Sequence, residues 1–165
     1  KGDRENLKNE LLKIEIYSKN KKNISSQEIN KLTNLAENYS HSELADYCLS
    51  KNLKKVTHIL NENNYSADES VSILRVILSK TKRLLKLKEA SRNQKNIDNV
   101  ISSYRPPIFW KDKEIVKQHM KYWSLKSTNE LIFKLNEIEL LVKKQTTNSI
   151  NILCDFILSQ AQINN

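Results

Sequence analysis

One short segment of this chain combines a stiff backbone, aromatic rings and positive charge. The segment from Arg105 to Lys113 holds both prolines of the chain, followed by Phe109 and Trp110. Proline fixes its own φ and keeps the preceding residue out of the helical region, so the two rings are predicted to lie on a stiff, extended loop. Flanking cations are Arg105, Lys111 and Lys113. Aromatic faces among cations suit stacking on nucleic-acid bases together with contact to phosphates.

A purely structural role is the alternative for both rings, because aromatic side chains also close the ends of helical bundles. We expect Phe109 to pack into the bundle in this way. For Trp110 we favour an exposed position and a binding role.

A second basic feature is a stripe of cations further back along the chain. Arg75, Lys82 and Lys86 recur at intervals of seven and four residues, which places them on one face of a helix, with Arg83 beside them. A stripe that tracks phosphates has this spacing. An ordinary solvated face has it too, and from spacing alone we favour the solvated face.

Few residues of this chain are candidates for catalysis. Gly2 is the sole glycine of the chain, whereas phosphate-binding loops and nucleophile turns require glycine where the backbone bends sharply or approaches a ligand. Glu137 and Glu139 are two residues apart on a predicted helix and therefore point in different directions. His119 lies on an apolar stripe, where a hydrogen-bonded core histidine is expected. We predict no catalytic residues and no cofactor.

The cysteines and histidines give no metal signature. Cys48 and Cys154 are far apart, and with the three histidines they form no recognised zinc spacing. Both lie on apolar helix stripes, which predicts buried free thiols, no bound metal and a reducing, cytoplasmic environment.

The net charge and the hydropathy of the chain limit the kinds of partner that it can have. Lys and Arg number 28 against 19 Asp and Glu, a formal net charge of +9 that favours polyanions. The abundance of Lys, Asn and Ile has an alternative source in AT-rich coding sequence. No apolar run approaches the ~20 residues of a membrane span, so no membrane partner is predicted. The first residues show no secretory signal, and because the chain does not start with Met we expect it to begin inside a longer protein.

Hydrophobic periodicity and capping signals predict an all-α fold in two parts, divided near 38–41. Periodic apolar runs follow three S-x-x-E capping boxes, namely Ser25 with Glu28, Ser66 with Glu69, and Ser127 with Glu130. The longest helix is expected to begin near Ser66. Asp112 is expected to cap the helix that carries His119 and Trp123.

The helix behind Ser127 carries more apolar residues than one buried stripe requires. The surplus residues, which flank the line of Leu131, Leu135 and Ile138, are Ile132, Phe133, Leu140 and Leu141. We therefore predict that some of the four are exposed in the isolated chain.

Taken in order, several short motifs resemble the C-terminal half of the delta subunit of the bacterial DNA polymerase III clamp loader. They are Gly2-Asp3-Arg4, then Leu7, Glu10-Leu11, Lys13, Tyr17 and Ile24; Leu44-Ala45-Asp46 at a helix start; Pro106-Pro107-Ile108-Phe109-Trp110-Lys111 before a helix with Gln118; and Glu139-Leu140 with Lys143. The resemblance covers essentially the whole chain and depends on the order and spacing of the motifs.

This resemblance implies a helical lid module over residues 1–37 and a collar-type helical bundle over residues 42–165. It implies three partners: the other loader subunits in a five-membered collar, primer–template DNA, and the sliding clamp, gripped by an ATPase-like module preceding Lys1. A domain that packs sideways into such a ring exposes apolar residues beyond its own core, so the subunit interface is expected at Ile132, Phe133, Leu140 and Leu141. The delta subunit of that family is not a working ATPase. The chain would thus help to load the clamp during DNA replication, as a mechanical part of the DNA polymerase III holoenzyme (a DNA-directed DNA polymerase, a nucleotidyltransferase).

The resemblance also suggests which residues contact DNA. Trp110 matches a loop aromatic on the DNA side of the collar, and the predicted DNA-binding residues are Trp110, Arg105, Lys111, Lys113 and Lys143. Some relatives carry an aromatic in the turn before the last helix, but Gln145-Thr146-Thr147 occupies that turn here, so stacking there is not expected. The alternative hypothesis is a free-standing helical nucleic-acid-binding protein or regulator, although glycine-poor turns disfavour a helix-turn-helix.

Overall fold

The described residues of the chain are entirely helical. A computed structural model describes residues 4–19, 41–63, 65–92 and 96–162, and among them are eight α-helices, two short 3-10 turns and no strand. The helices are α1 (Arg4–Ser18), α2 (His41–Leu49), α3 (Leu53–Glu62), α4 (Ala67–Ala90), α5 (Ile97–Ser103), α6 (Lys113–Tyr122), α7 (Leu125–Lys144) and α8 (Ser149–Ala161). The all-α prediction is confirmed for this part of the chain.

Internal contacts divide the chain into two units, Lys1–Asn38 and Tyr39–Asn165. In the first unit the described element is α1, which leaves Leu11, Leu12 and Ile16 exposed. The capping box predicted at Ser25 and Glu28 lies outside the described residues.

Helix α4 is the centre of the second unit. It contacts α2, α5, α6, α7 and α8, whereas α3 packs on α2 and α8. One face of α4 is fully buried and carries Ile73, Leu74, Ile77, Leu84 and Leu87. Because that face takes up the packing, the opposite face of α4 is left to polar and charged side chains.

The start of α4 is the predicted capping box. The Ser66 hydroxyl accepts a 3.4 Å hydrogen bond from the Glu69 amide, and the Glu69 carboxylate accepts a 2.8 Å bond from the Ser66 amide. The bond from the Ser66 amide, together with a 2.8 Å bond from the Ser66 hydroxyl to the same carboxylate, lowers the pKa of the Glu69 carboxyl. Two of the unpaired N–H groups of the first turn are thereby satisfied.

The box predicted at Ser127 and Glu130 is wrong. Helix α7 begins three residues earlier, with Ser124 as its N-cap, and Ser127 closes the box from inside the helix by accepting a 2.9 Å bond from the Ser124 amide. The physical reason is tertiary, since the buried Trp123 ends α6 and the chain turns immediately after it.

A glycine-free helix end follows α2. Lys51 adopts a left-handed φ of 58°, and the Asn52 and Lys51 amides bond to the carbonyls of Tyr47 and Cys48. This hydrogen-bond pattern is the Schellman motif, which usually places glycine at the left-handed position. Helix α2 therefore ends in a Schellman motif although the left-handed position is occupied by lysine and not by glycine.

His119 occupies the core, as predicted. It is 2% exposed, and its Nε2 donates a 3.0 Å hydrogen bond to the Asp46 carbonyl. The Asp46 carboxylate in turn lies 2.6 Å from Lys80 Nζ. Asp112 stands at the N-cap position of α6, but its side chain makes no capping hydrogen bond, so the capping role predicted for it is wrong.

Candidate nucleic-acid interface

The proline loop is anchored by one apolar residue and displays the next two. The Arg105–Pro106 peptide is cis, and Ile108 is buried against the core at 8% exposure. Phe109 and Trp110 follow at 57% and 67% exposure. The expectation that Phe109 fills the bundle end is therefore wrong: Ile108 occupies that position, which leaves both aromatic rings outside.

The two rings form a small platform with a cation beside it. Their centroids are 5.8 Å apart at an interplanar angle of 48°, and Lys111 Nζ lies 5.4 Å from the Trp110 ring. A 3-10 turn over Trp110–Asp112, closed by a 2.9 Å bond from the Asp112 amide to the Phe109 carbonyl, holds the segment in shape. Stacking and cation–π contact with a base are both available at such a surface.

The structure brings together four of the five residues predicted to bind DNA. Arg105, Trp110, Lys111 and Lys113 all belong to the loop and the first residue of α6. Arg105 is exposed and donates a 3.3 Å hydrogen bond to the neighbouring Tyr104 carbonyl.

Lys143 belongs to a different group. Its Nζ lies 2.6 Å from Glu139 Oε1, and Arg75 Nε lies 3.2 Å from the same oxygen. The hydrogen bond from Lys143, followed by that from Arg75, lowers the pKa of the Glu139 carboxyl. Because Glu139 offsets part of their charge, these two cations are weaker phosphate contacts than unpaired ones.

The basic stripe of α4 meets the proline loop across a cleft of ≈ 510 Å³. One wall is α4, with Lys82, Arg83 and Lys86, and the facing wall is the loop, with Pro106, Pro107, Phe109 and Asp112. Sequence spacing did not connect these two features. Arg83, which stands beside the stripe, also lines the cleft, whereas Arg75 is committed to Glu139.

Most of the cationic charge on the α4 wall is unopposed. Lys80 also lines the cleft, but it is paired with Asp46. Among the described residues no carboxylate lies within salt-bridge distance of Lys82, Arg83 or Lys86. Asp112 is the one acidic residue in the described lining. The cleft therefore carries a net positive charge and fits an anionic ligand.

Helix α7 presents a separate, apolar surface. Phe133 and Leu140 are 67% and 56% exposed, Leu141 is also exposed, and Ile132 is half-buried. Phe133, Leu140 and Leu141 are spaced by seven and eight residues, so they share one face of the helix. The opposite face, with Leu131, Leu135 and Val142, belongs to the core.

Other chemistry has little support in the described residues. No group of three His, Cys, Asp or Glu side chains there could hold a metal ion, and no described helix has the length and apolarity to cross a bilayer. Cys48 is a buried free thiol whose pKa burial raises to about 12. Cys154 is free but only partly buried, which departs from the prediction of full burial.

Comparisons with protein-family models, with curated proteins and with solved structures found no match to this chain. A function is therefore inferred from the loop platform, the cationic cleft and the apolar face of α7.

Proposed function

We propose that this chain is a delta-type subunit of a DNA polymerase III clamp loader, which helps to load the sliding clamp onto primed DNA during replication. In this proposal residues 1–37 form the lid module and residues 42–165 the collar-type bundle. The observation that carries it is the exposed Trp110 ring, held beside Lys111 and beside Phe109, which lines a cationic cleft. The motif order that resembles the delta subunit supports the same assignment.

Assembly is the role proposed for α7. Phe133 and Leu140 expose large apolar side chains two turns apart on one face of α7, whose opposite face packs into the core. An apolar helix face of this kind is typical of a subunit contact. We assign Ile132, Phe133, Leu140 and Leu141 to the interface with a neighbouring loader subunit.

DNA contact is the role proposed for the loop. Trp110 would stack on a base or a terminal base pair of the primer–template, and Arg105, Lys111 and Lys113 would supply phosphate contacts. Lys143, paired with Glu139, is assigned a secondary contact. No catalytic residue is proposed for this chain, whose contribution to the polymerase holoenzyme is mechanical.

The test is reconstitution with the other loader subunits, followed by size-exclusion chromatography. We expect the chain to co-elute with them, and Phe133→Asp/Leu140→Asp to abolish co-elution. The matched control is Leu53→Asp, which adds a carboxylate to an exposed leucine on α3. Failure of the unaltered chain to co-elute, or co-elution of the double variant as before, would overturn the proposal.

A free-standing nucleic-acid-binding protein is the second candidate, and the net charge of the α4 cleft favours it. It needs no subunit interface. A chain that binds DNA by itself and ignores the loader subunits would support this candidate over the first.

A further inference from the structure

We propose that the cleft between α4 and the proline loop binds a single, unpaired nucleic-acid strand. This inference deepens the proposed nucleic-acid contact and rests on it, but it does not depend on membership of a loader. It assigns a ligand-binding role to Lys82, Arg83, Lys86 and Phe109.

The cations are placed to follow a sugar–phosphate chain. Lys82 and Lys86 are one turn apart on α4, about 6 Å at 1.5 Å per residue, which is comparable to the separation of successive phosphates along a strand. Arg83 lies between them in sequence and lines the same cleft. None of the three has a carboxylate partner among the described residues, so each is available to replace a counterion of the phosphate chain.

The facing wall supplies the apolar half of a strand-binding site. Pro106, Pro107 and Phe109 line it, and Trp110 continues it outward with its ring 5.8 Å from that of Phe109. Ile108 pins this wall to the core, which lowers the cost of ordering it when a ligand binds. A base that enters between the cations and these rings would stack on an aromatic face.

The shape favours an unpaired strand over a duplex. In a duplex the faces of the bases are covered by their neighbours everywhere except at the terminal pairs, and the phosphates form a wide, convex surface. A cleft of ≈ 510 Å³ is concave and small, and side-by-side rings offer stacking only to bases with free faces. Single-strand sites combine a cationic groove with such stacking residues.

Asp112 gives the inference a distinctive consequence. It lines the cleft and opposes the charge of a phosphate chain, yet its side chain makes no capping hydrogen bond to α6. Removing its charge should therefore tighten strand binding with little effect on the fold. If Asp112 had only a structural role, removing its charge would not increase the affinity for the strand.

The experiment measures fluorescence anisotropy of a labelled thymidine oligonucleotide with the chain alone. A length of about 12 nucleotides lies within the ~4–16 that a small binding domain covers. Three phosphate contacts predict a slope near −2 for log affinity against log salt, or roughly a 20-fold loss between about 50 and 200 mM. A blunt duplex of the same length should bind more weakly.

The variants isolate the cleft from the overall charge. Lys82→Ala/Lys86→Ala should bind about tenfold more weakly, with a salt slope reduced to about −0.7. Lys54→Ala/Lys55→Ala, which removes the same charge from exposed positions on α3, should keep the original slope. Phe109→Ala should weaken binding at least about fivefold. Asp112→Asn should strengthen it by about two- to fivefold.

Four results would each overturn the inference: equal losses in the two lysine pairs, tighter binding of the duplex, no change in Phe109→Ala, or no gain of affinity in Asp112→Asn. Circular dichroism of each variant confirms that it is folded. Loss of strand binding by the chain with intact loader co-elution would remove this inference and leave the proposed assembly role standing. Strand binding without co-elution would support this inference and remove the proposed assembly role.

Discussion

The indole Nε1 of Trp123 donates a 2.7 Å hydrogen bond to the carbonyl of Leu49, the last residue of α2. Helix-terminal carbonyls lack a partner within their own helix, so this bond satisfies a group that would otherwise be buried and unpaired. Lys51 Nζ lies 4.1 Å from the Trp123 ring. Trp123 thereby ties the junction of α6 and α7 to the end of α2, although the two segments are far apart in sequence.

Trp123→Phe should destabilise the fold by about 2–4 kcal/mol, because it leaves the Leu49 carbonyl unpaired and a void beside it. Urea unfolding followed by circular dichroism measures the loss. Trp110→Phe is the matched control: its ring is exposed, and its expected change is within about 0.5 kcal/mol. Equal effects in the two variants would contradict the role assigned to Trp123.

His119 should make stability depend on pH. Burial, with smaller effects of Lys80 and Arg83, lowers the pKa of His119 to about 4, and the nearby Asp46 opposes this shift only in part. A histidine whose pKa is lower in the folded state favours folding when neutral, so its contribution is complete above its unfolded pKa of 6.5 and is lost as the pH falls towards 4. Between about pH 7 and pH 5 the expected loss is about 2 kcal/mol.

The measurement is urea unfolding at the two pH values for the original chain and for His119→Gln. Glutamine has an amide N–H to offer the Asp46 carbonyl but does not titrate, so the pH-dependent loss should shrink by most of its value. Gln118→Ala, which changes an exposed, non-titrating side chain on the same helix, should retain the original pH dependence. An unchanged pH dependence in His119→Gln would contradict the assignment.

Ser66→Ala should cost about 1 kcal/mol, because it removes the hydroxyl that accepts from the Glu69 amide at the start of α4. Ser72→Ala, at an exposed position further along the same helix, provides the control and should be neutral or slightly stabilising. Thermal unfolding distinguishes the two variants. A cost at Ser72 as large as that at Ser66 would show that the capping box contributes nothing specific.

Trp110→Ala should weaken primer–template binding by the reconstituted loader, by the roughly 1–3 kcal/mol that one stacked base contributes. Co-elution with the other subunits should be unaffected, because Trp110 is on the loop and the proposed interface is on α7. Unchanged DNA affinity would remove Trp110 from the proposed DNA site.

Local interactions account for what the sequence alone could predict. The Ser66–Glu69 box needs only residues within one turn, so the pattern of residue types determined it. Helical periodicity likewise placed His119 on a buried stripe, because the side chains that share a helix face are decided by spacing. The all-α class followed from many such local signals that agree with one another.

Other features depended on how the helices pack. Phe109 is exposed and Ile108 buried because only one side chain of a short apolar run can reach the core from a loop pinned at that point. The start of α7 at Ser124 follows from the burial of Trp123, which ends α6 there.

The cleft is the clearest product of tertiary structure. Its walls, around 79–86 of α4 and 104–112 of the loop, are separated along the chain by α5. The sequence determined that one segment would be a basic helix face and the other a stiff aromatic loop. Packing alone decided that the two face each other, since their juxtaposition depends on how α4 and α6 bury their apolar faces.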